Sequence, residues 1–377
     1  MRRTGAMRTT CRSTKTRTRP SMRPSVARSS MTCSRSTSPR AGTSSPASST
    51  RWTPTAPSSP GTAPPKSASP SPCSTSSTSP FSKGRLTRGS RMEATLLASG
   101  LGFPEGPLVM PDGRIVFCDG NVGELLVYQD GRVATFARTG GSPWGTVLGT
   151  DGAVYVTQGG NVPGSGDTSA VSGIQRVRTD GTVELLRSEV AGRKLYGPND
   201  LAFGPDGRLY FTDSGSEEDF RFDVRSPGRL FAIDGRGGGE MLLELPKVYP
   251  NGIAFDKQRR LYWTESLAHR VCRLEGGKPT TFSQLSDRHV PDGMAFAADG
   301  RVFVCTTISE GVTVLSPDGE VLEEIHLGQH ATNCIFDGST LYVTATHTAD
   351  IEASQRTGTF WRVATDATGL DLIPGRL

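Results

Sequence analysis

Six segments of the chain carry a polar or bulky side chain at one equivalent position of a repeated pattern. The clearest copies read P-N-D-L-A-F, P-N-G-I-A-F and P-D-G-M-A-F, and weaker copies read P-E-G-P-L-V, P-W-G-T-V-L and T-N-C-I-F. The residues at this "ring position" are Glu105, Trp144, Asn199, Asn251, Asp292 and Asn333. Carboxylates and amides without His or Cys form an all-oxygen donor set, which favours a hard cation such as Ca²⁺, Mg²⁺ or Mn²⁺.

Any single copy also has a simpler interpretation, because Asn and Asp often serve as turn residues before a strand. Glu105 weakens that interpretation, since Glu is not a turn former. Two carboxylates brought to one place repel each other, so a cation would be needed between them. Calcium takes about 6–8 oxygen ligands, so four protein ligands would leave positions open to water and substrate. The pattern therefore predicts a working metal site rather than an enclosed structural one.

The ring position recurs because a four-strand unit recurs. Each copy is followed by a run rich in aromatic and β-branched residues, usually after a turn typical of β-hairpins. These second runs start 39, 55, 52, 41 and 39 residues apart, close to the repeat length of about 40–50 residues in four-stranded propeller blades. They are Arg114–Asp119, Ala153–Gln158, Arg208–Asp213, Arg260–Glu265, Arg301–Thr306 and Thr340–Ala345. The sequence predicts an all-β fold, a six-bladed β-propeller, and even spacing argues against the alternative of paired β-sandwiches.

A propeller must close into a ring, because no blade buries both of its faces alone. Ala94–Leu101 is predicted to close it as an outer strand of the blade at residues 332–377. Since the first strand of each blade lines the central channel, the six ring positions, each predicted to lie just before such a strand, should converge at one mouth. The second strands return to this mouth with Asp119, Gln158, Asp213 and Glu265. These groups either orient the amide ligands or are solvated strand-end residues. The polar stretches 159–172 and 214–227 are expected to be extended loops.

The composition of the chain changes abruptly at Met92. Of the 42 basic residues, 17 precede the first acidic residue, Glu93, so the remainder has 25 basic against 37 acidic residues, a net charge of −12. Residues 1–91 are rich in Ser, Thr, Arg and Pro without periodicity and are predicted to be disordered, whereas residues 92–377 are predicted to form the propeller. The first segment is a basic tail, a transit peptide, or translation from upstream of a natural start at Met92. The abrupt change favours the third interpretation.

The patterns after Met92 exclude several classes of partner. There is no basic stripe with interleaved aromatic residues, so nucleic acid is not expected. No apolar run reaches 18 residues and no signal peptide is recognisable, so neither a membrane partner nor export is expected, and a cytoplasmic location is predicted. The cysteines of this part, Cys118, Cys272, Cys305 and Cys334, lack C-x-x-C spacing and are predicted to be buried thiols. The oligomeric state is left open.

Five ordered segments resemble the signature segments of the SMP-30/gluconolactonase/regucalcin family. They are F-P-E-G-P at 103–107, Y-G-P-N-D at 196–200, Y-P-N-G at 249–252, V-P-D-G-M at 290–294 and T-N-C at 332–334. The resemblance covers residues 93–377 and implies a propeller that binds one divalent metal through Glu105, Asn251 and Asp292. It implies that Asn199 faces metal or substrate, depending on the branch, and that the activity is hydrolysis of sugar lactones or, in relatives, of other esters or organophosphates. Gly197 departs from the animal lactonases, which have Arg there, so sugar specificity is not carried over.

Together these observations predict an enzyme, a metal-dependent hydrolase that opens a sugar lactone or a related cyclic ester. The predicted metal ligands are Glu105, Asn199, Asn251 and Asp292. Ca²⁺ is preferred, with Mg²⁺, Mn²⁺ or Zn²⁺ as alternatives. Substrate contacts are predicted for Asn199, Trp144 and Asn333.

The predicted catalytic residues are Asp292, as general base, and Asp200 behind it. No G-x-S-x-G elbow occurs, so a serine acyl-enzyme is not expected. No histidine occupies the ring position; His347 could overhang the mouth, but a surface or core place is favoured. Two alternatives stay open: a non-enzymatic calcium-binding propeller, and a phosphotriester or other ester hydrolase on the same fold.

Overall fold

A computed structural model of the chain describes residues 92–160, 169–215, 226–347 and 356–377. Within these ranges the chain forms 26 β-strands and one short 3-10 helix, Ser266–Ala268. The disorder predicted for residues 1–91 lies outside the described residues, as does most of each extended loop predicted at 159–172 and 214–227. No helix in the described part of the chain has the length and apolar character needed to cross a bilayer.

The strands of the first three blades follow one another along the chain. The closing strand of the ring comes first, as β1 (Glu93–Leu101). Blade one is formed by β2 (Pro104–Val109), β3 (Ile115–Asp119), β4 (Glu124–Gln129) and β5 (Arg132–Arg138). Blade two is formed by β6 (Pro143–Leu148), β7 (Val154–Gln158), β8 (Gly173–Val177) and β9 (Val183–Arg187). A small hairpin follows, made of β10 (Glu189–Val190) and β11 (Arg193–Lys194). Blade three is formed by β12 (Pro198–Phe203), β13 (Leu209–Asp213), β14 (Arg229–Ile233) and β15 (Gly239–Glu244).

The remaining three blades complete the ring with the same antiparallel order. Blade four is formed by β16 (Pro250–Phe255), β17 (Leu261–Glu265), β18 (Arg270–Glu275) and β19 (Lys278–Gln284). Blade five is formed by β20 (Pro291–Phe296), β21 (Val302–Thr306), β22 (Gly311–Leu315) and β23 (Val321–His326). Blade six is formed by β24 (His330–Asp337), β25 (Thr340–Thr346), β26 (Gly358–Ala364) and the returning β1. The prediction of an all-β, six-bladed propeller is confirmed.

Ring closure occurs between the first and last strands of the chain. β1 pairs antiparallel with β26, from Glu93 opposite Ala364 to Leu101 opposite Gly358. The innermost strands of neighbouring blades contact one another all the way round, including β24 of blade six with β2 of blade one. The predicted closing strand is therefore confirmed, and it begins one residue earlier than expected.

The hydrophobic core lies between the blades rather than at the centre of the ring. One cluster of buried side chains fills the space between each adjacent pair of blades in the described chain. Every residue of the second strands β3, β7, β13, β17 and β21 is buried, because each of these strands has a neighbouring blade on both faces. This explains why their sequences are almost continuously apolar. The four described cysteines are free and buried in these clusters, as predicted.

The last residues of the chain, which we call the C-terminal strap (residues 368–377), cross the mouth where the innermost strands end. The Leu370 N–H donates to the Phe296 carbonyl of blade five at 2.9 Å. Further along, the Thr150 N–H of blade two donates to the Gly375 carbonyl at 2.8 Å, and the Leu377 N–H donates to the Tyr155 hydroxyl at 3.0 Å. The strap therefore connects two blades that lie opposite each other in the ring.

Candidate active site

Five of the six predicted ring-position side chains line one cavity of about 70 Å³ at the mouth where the innermost strands begin. They are Glu105, Trp144, Asn199, Asn251 and Asp292, each at most 9% exposed. Each is the second residue of the innermost strand of its blade, because every blade repeats the same strand register. Five blades thus each contribute one residue to the same small cavity, although these residues span 188 positions of the sequence, from Glu105 to Asp292.

The sixth blade differs from the sequence prediction by one residue. Thr332 lines the cavity in place of Asn333, which lines a larger cavity of about 540 Å³ at the opposite mouth. The copy in blade six has Ala331 where the other five copies all have proline, and this obscured the alignment. Since successive residues of a strand point to opposite sides, an error of one residue moves the side chain away from the cavity. The Asn333 side chain instead hydrogen-bonds the carboxylates of Glu105 and Asp200.

Asp200 also lies behind the cavity rather than in its lining. Its Oδ1 accepts a hydrogen bond from the Leu201 N–H at 2.9 Å, and its Oδ2 accepts one from the Ile253 N–H of the next blade at 3.2 Å. Burial raises the pKa of Asp200 to about 6. The negative charge of Asp200 acts on the cavity, because it raises the pKa of the cavity-lining Asp292.

The two carboxylates of the cavity form a buried acidic pair. Burial raises the pKa of Glu105 well above its usual range, and the charges of Asp292 and Asp200 raise it further. Burial likewise raises the pKa of Asp292, followed by the charge of Asp200. Hydrogen bonds from the Asn251 side chain and the Gly293 N–H act in the other direction on Asp292. Like charges held together without water favour the protonated forms unless a cation is bound between them.

The donor set fits a hard divalent cation. The Asp292 Oδ1 atom is buried and has no hydrogen-bond partner among the described residues. No Lys or Arg side chain of the described residues lines the cavity, so no protein cation neutralises the pair. The described residues contain no cluster of three or more His, Cys, Asp or Glu side chains suited to a metal. The set is instead two carboxylates with the amides of Asn199 and Asn251, all of them oxygen donors.

The wall of the cavity contains residues that the sequence reasoning missed. They are Phe103, Tyr249, Val290 and His330. Each lies two residues before the cavity-lining residue of its own blade, which is Glu105, Asn251, Asp292 or Thr332 respectively. The position two residues before the ring position thus faces the cavity in four of the six blades, so the same repeat shifted by two residues would have found them. Tyr249 hydrogen-bonds the Asn199 side chain, and burial raises the pKa of its phenol. The His330 Nδ1 atom is buried without a partner in the described chain, and burial lowers the pKa of this imidazole.

The residues that end the second strands hold the backbone that leads to the ring position. Asp119, Gln158, Asp213 and Glu265 are at most 1% exposed, which excludes the solvated alternative. Asp213 accepts hydrogen bonds from the N–H groups of Tyr196 and Gly197 at 3.1 and 2.9 Å and pairs with Arg229 at 2.7 Å. Asp119 and Gln158 bind the segments before β2 and β6 in the same way. Glu265 differs, since it accepts hydrogen bonds from the Trp263 and Arg270 side chains instead of from backbone N–H groups.

Buried threonines fix the ring position from the preceding blade. The Thr212 hydroxyl donates to the Asn251 carbonyl and the Thr264 hydroxyl donates to the Asp292 carbonyl, both at 2.7 Å. The Thr157 hydroxyl donates to the Asn199 carbonyl in the same manner. Because each bond crosses between blades, the spacing of the cavity residues depends on the closed ring.

Removing the Asp213 carboxylate should destabilise the protein strongly. Asp213→Ala leaves the Arg229 guanidinium, which is 7% exposed, without its partner, and frees the N–H groups before Asn199. Loss of one partner of a buried pair costs about 3–5 kcal/mol. Urea unfolding measures this difference in the free energy of unfolding.

A matched control is Asp206→Ala, which removes an exposed aspartate–arginine pair from the same blade. Exposed pairs contribute about 0–1 kcal/mol. Equal destabilisation by the two substitutions would contradict the role assigned to Asp213.

Comparison with known proteins gives a consistent result. Residues 103–347 match the family model described as the SMP-30/gluconolactonase/LRE-like region. A gluconolactonase from Zymomonas mobilis is 27% identical over 315 residues, covering 70% of this chain and 84% of that protein. A solved gluconolactonase from Xanthomonas campestris is 21% identical with a TM-score of 0.59, covering 72% and 89% of the two chains. The calcium-binding protein regucalcin from Agrobacterium tumefaciens is 19% identical with a TM-score of 0.62, covering 76% and 98%. The two structural likenesses show the fold.

Proposed function

The chain belongs to the SMP-30/gluconolactonase/LRE-like family, and from this premise we propose that it is a metal-dependent hydrolase that opens a sugar lactone or a related cyclic ester. The observation that carries the proposal is the convergence of Glu105 and Asp292, with two amides, on one buried cavity that no Lys or Arg side chain of the described residues lines. The 27% identical gluconolactonase supports the lactone as the substrate class. The proposed domain arrangement is a propeller at residues 92–377, preceded in the sequence by a separate segment at residues 1–91.

Glu105, Asn199, Asn251 and Asp292 would hold the cation, for which Ca²⁺ is the first choice because all the donors are oxygens. When bound, a divalent cation supplies Lewis-acid polarisation of an ester carbonyl. The unpaired Asp292 Oδ1 atom is the donor most available to it. Asn199 is fixed by its hydrogen bond to Tyr249, so its amide orientation is set before substrate arrives.

The residues of the chain then account for the proton transfers. The Asp292 carboxylate accepts a proton from water as the water oxygen bonds to the lactone carbonyl carbon. The ring C–O bond breaks in the second step, and protonated Asp292 returns the proton to the departing ring oxygen, which gives a hydroxy acid. Asp200 acts through Asp292, because its buried charge raises the pKa of Asp292 and makes it a stronger base. Trp144 and the wall around it exclude bulk water from the reacting carbonyl.

Proton release from gluconolactone tests this function directly. We expect hydrolysis in the presence of calcium, its loss on chelation and its recovery when calcium is restored. A calcium-dependent rise in melting temperature without hydrolysis of any lactone would favour the non-enzymatic calcium-binding propeller instead. Hydrolysis of a phosphotriester but of no lactone would favour the third alternative.

The thermal stabilisation by calcium should depend on pH. Because the folded-state pKa values of Glu105 and Asp292 are raised, protons stabilise the metal-free protein below the ordinary carboxyl pKa of about 4, and this contribution is lost as pH rises through the folded-state values. Protons compete with the cation for the same oxygens. Saturating calcium at about 100 times its dissociation constant adds about 2.7 kcal/mol of stability. We expect a larger rise in melting temperature at pH 8 than at pH 5.

Two glutamate variants control this measurement by differential scanning fluorimetry. Glu105→Gln should abolish the calcium-induced shift at both pH values, whereas Glu275→Gln, which alters an exposed side chain at the end of β18, should retain it. An equal shift at pH 5 and pH 8 in the unmodified protein would show that the carboxylates are not ligands.

A further inference from the structure

The wall of the cavity is largely apolar above the ring position. The Phe103 ring packs edge-on against the Trp144 indole, with centroids 5.6 Å apart, and Val290 and Tyr249 complete this surface. Among the described residues, the only acidic or basic side chains that line the cavity are those of Glu105, Asp292 and His330. Gly197, which occupies the same register in blade three, contributes no side chain at all. The wall therefore offers a substrate mainly carbon surface.

Three of the hydroxyl groups that line the cavity are already hydrogen-bonded within the protein. Ser266 donates to a backbone carbonyl of β20 at 2.7 Å, and Thr332 donates to one of β2 at 2.8 Å. The Thr346 hydroxyl shares a hydrogen bond with Thr357 at 3.2 Å. Apart from the His330 Nδ1 atom and the Thr307 hydroxyl, few polar groups of the described wall remain to pair with substrate hydroxyls. A substrate rich in hydroxyls would therefore bury more polar groups here than the wall can pair, and unpaired buried polar groups are unfavourable.

The rim around the cavity exposes further apolar surface. Ile308 follows β21 at this mouth and is 54% exposed, and Tyr196, in the segment before β12, is 37% exposed. Val171, just before β8, is 46% exposed, and its neighbour Ser172 donates to the Tyr196 carbonyl at 2.9 Å. Ligand pockets commonly measure about 300–1,000 Å³. A cavity of about 70 Å³ accepts the reacting part of a substrate, so the rest must lie across this rim.

From this wall and rim we infer that the preferred substrate is a lactone that carries an apolar alkyl or aryl substituent, rather than a polyhydroxylated one. The inference rests on the proposed hydrolase function and narrows its substrate class. The lactone carbonyl enters between Glu105 and Asp292, and the substituent leaves the cavity along its apolar wall and lies on the rim at Ile308, in the same blade as Asp292. Burial of the substituent supplies the discrimination, because each methylene removed from water strengthens binding.

Three δ-lactones distinguish the outcomes: gluconolactone, unsubstituted δ-valerolactone and δ-decalactone, which carries a pentyl chain. We expect kcat/KM to be at least about tenfold higher for δ-decalactone than for δ-valerolactone, with gluconolactone the poorest of the three. Faster hydrolysis of gluconolactone than of δ-decalactone would overturn this inference and leave the proposed function standing. Hydrolysis of none of the three, with calcium present, would overturn the proposed function and this inference with it.

A pair of variants in blade five tests the part assigned to the rim. Ile308→Ser should lower kcat/KM for δ-decalactone about threefold to tenfold while leaving that for δ-valerolactone unchanged. Leu322→Ser is the matched control, because Leu322 is 53% exposed on the outer strand β23, away from the cavity. Equal values of kcat/KM for δ-decalactone in the two variants would overturn the placement of the substituent over the rim.

Discussion

Asp292→Asn is expected to lower kcat for lactone hydrolysis by about 10²–10⁴-fold, the usual contribution of a positioned general base. The substitution keeps the shape of the side chain but removes the proton acceptor and a charged metal donor. The same substitution should not destabilise the metal-free protein. It removes a charge that is buried beside Glu105 and Asp200, and the raised pKa of Asp292 shows that the ionised form is unfavourable there.

The combination of lost activity and retained or increased melting temperature separates a functional role from a structural one. Stopped-flow proton release gives kcat, and calcium titrations followed by thermal melting give the loss of the metal-induced shift. The control is Asp299→Asn, which alters an exposed aspartate in the turn between β20 and β21 of the same blade. An Asp292→Asn protein that kept both its kcat and its calcium shift would contradict the assigned role.

Removal of residues 1–101 is expected to eliminate most of the stability of the propeller. This deletion takes away β1, which supplies the outer strand of blade six and packs Leu97 and Leu101 against the cluster between blades one and six. Full burial of a leucine such as Leu101 contributes about 1.5–3 kcal/mol, and the partly buried Leu97 contributes less, out of a total stability of about 5–15 kcal/mol for a typical protein. The edge of β26 would also become exposed and available for aggregation.

Removal of residues 1–91 is the matched control, because it leaves every described strand in place. We expect this protein to melt at the temperature of the full chain and to keep its kcat. Urea and thermal unfolding of the two deletions, followed by circular dichroism, measure the difference. Similar unfolding curves for both would contradict the importance of the closing strand, and a loss of stability in the shorter deletion would contradict the proposed independence of residues 1–91.

The repeat predicted the fold well because the same physical demand applies to every blade. Each second strand must be apolar on both faces, so the six copies stand out without knowledge of their contacts. The repeated motifs coincide with innermost strands, namely Pro104–Val109, Pro143–Leu148, Pro198–Phe203 and Pro250–Phe255. The ring-position residue was expected just before each strand and is instead its second residue. Proline at the first position fixes where each begins, since it is readily tolerated as the first residue of a strand.

The remaining features depend on information that a single repeat position does not contain. Asn333 was misplaced because its copy lacks that proline and can be aligned in two ways. His330 and Tyr249 were missed because only one residue per repeat was considered, although the position two residues earlier also lines the cavity. The hairpin of β10 and β11 and the C-terminal strap carry no periodic pattern, so their positions are set by tertiary contacts alone.

The C-terminal strap also determines the orientation that the protein would adopt when it is attached to a surface through Leu377. Its last residue, Leu377, is held against Tyr155 on the face remote from Glu105 and Asp292. A tether, label or solid support joined to that residue would therefore sit behind the molecule, with the substrate entrance turned outwards. Immobilised in this orientation, the protein should leave the mouth of the cavity as accessible to dissolved substrate as it is in the free protein.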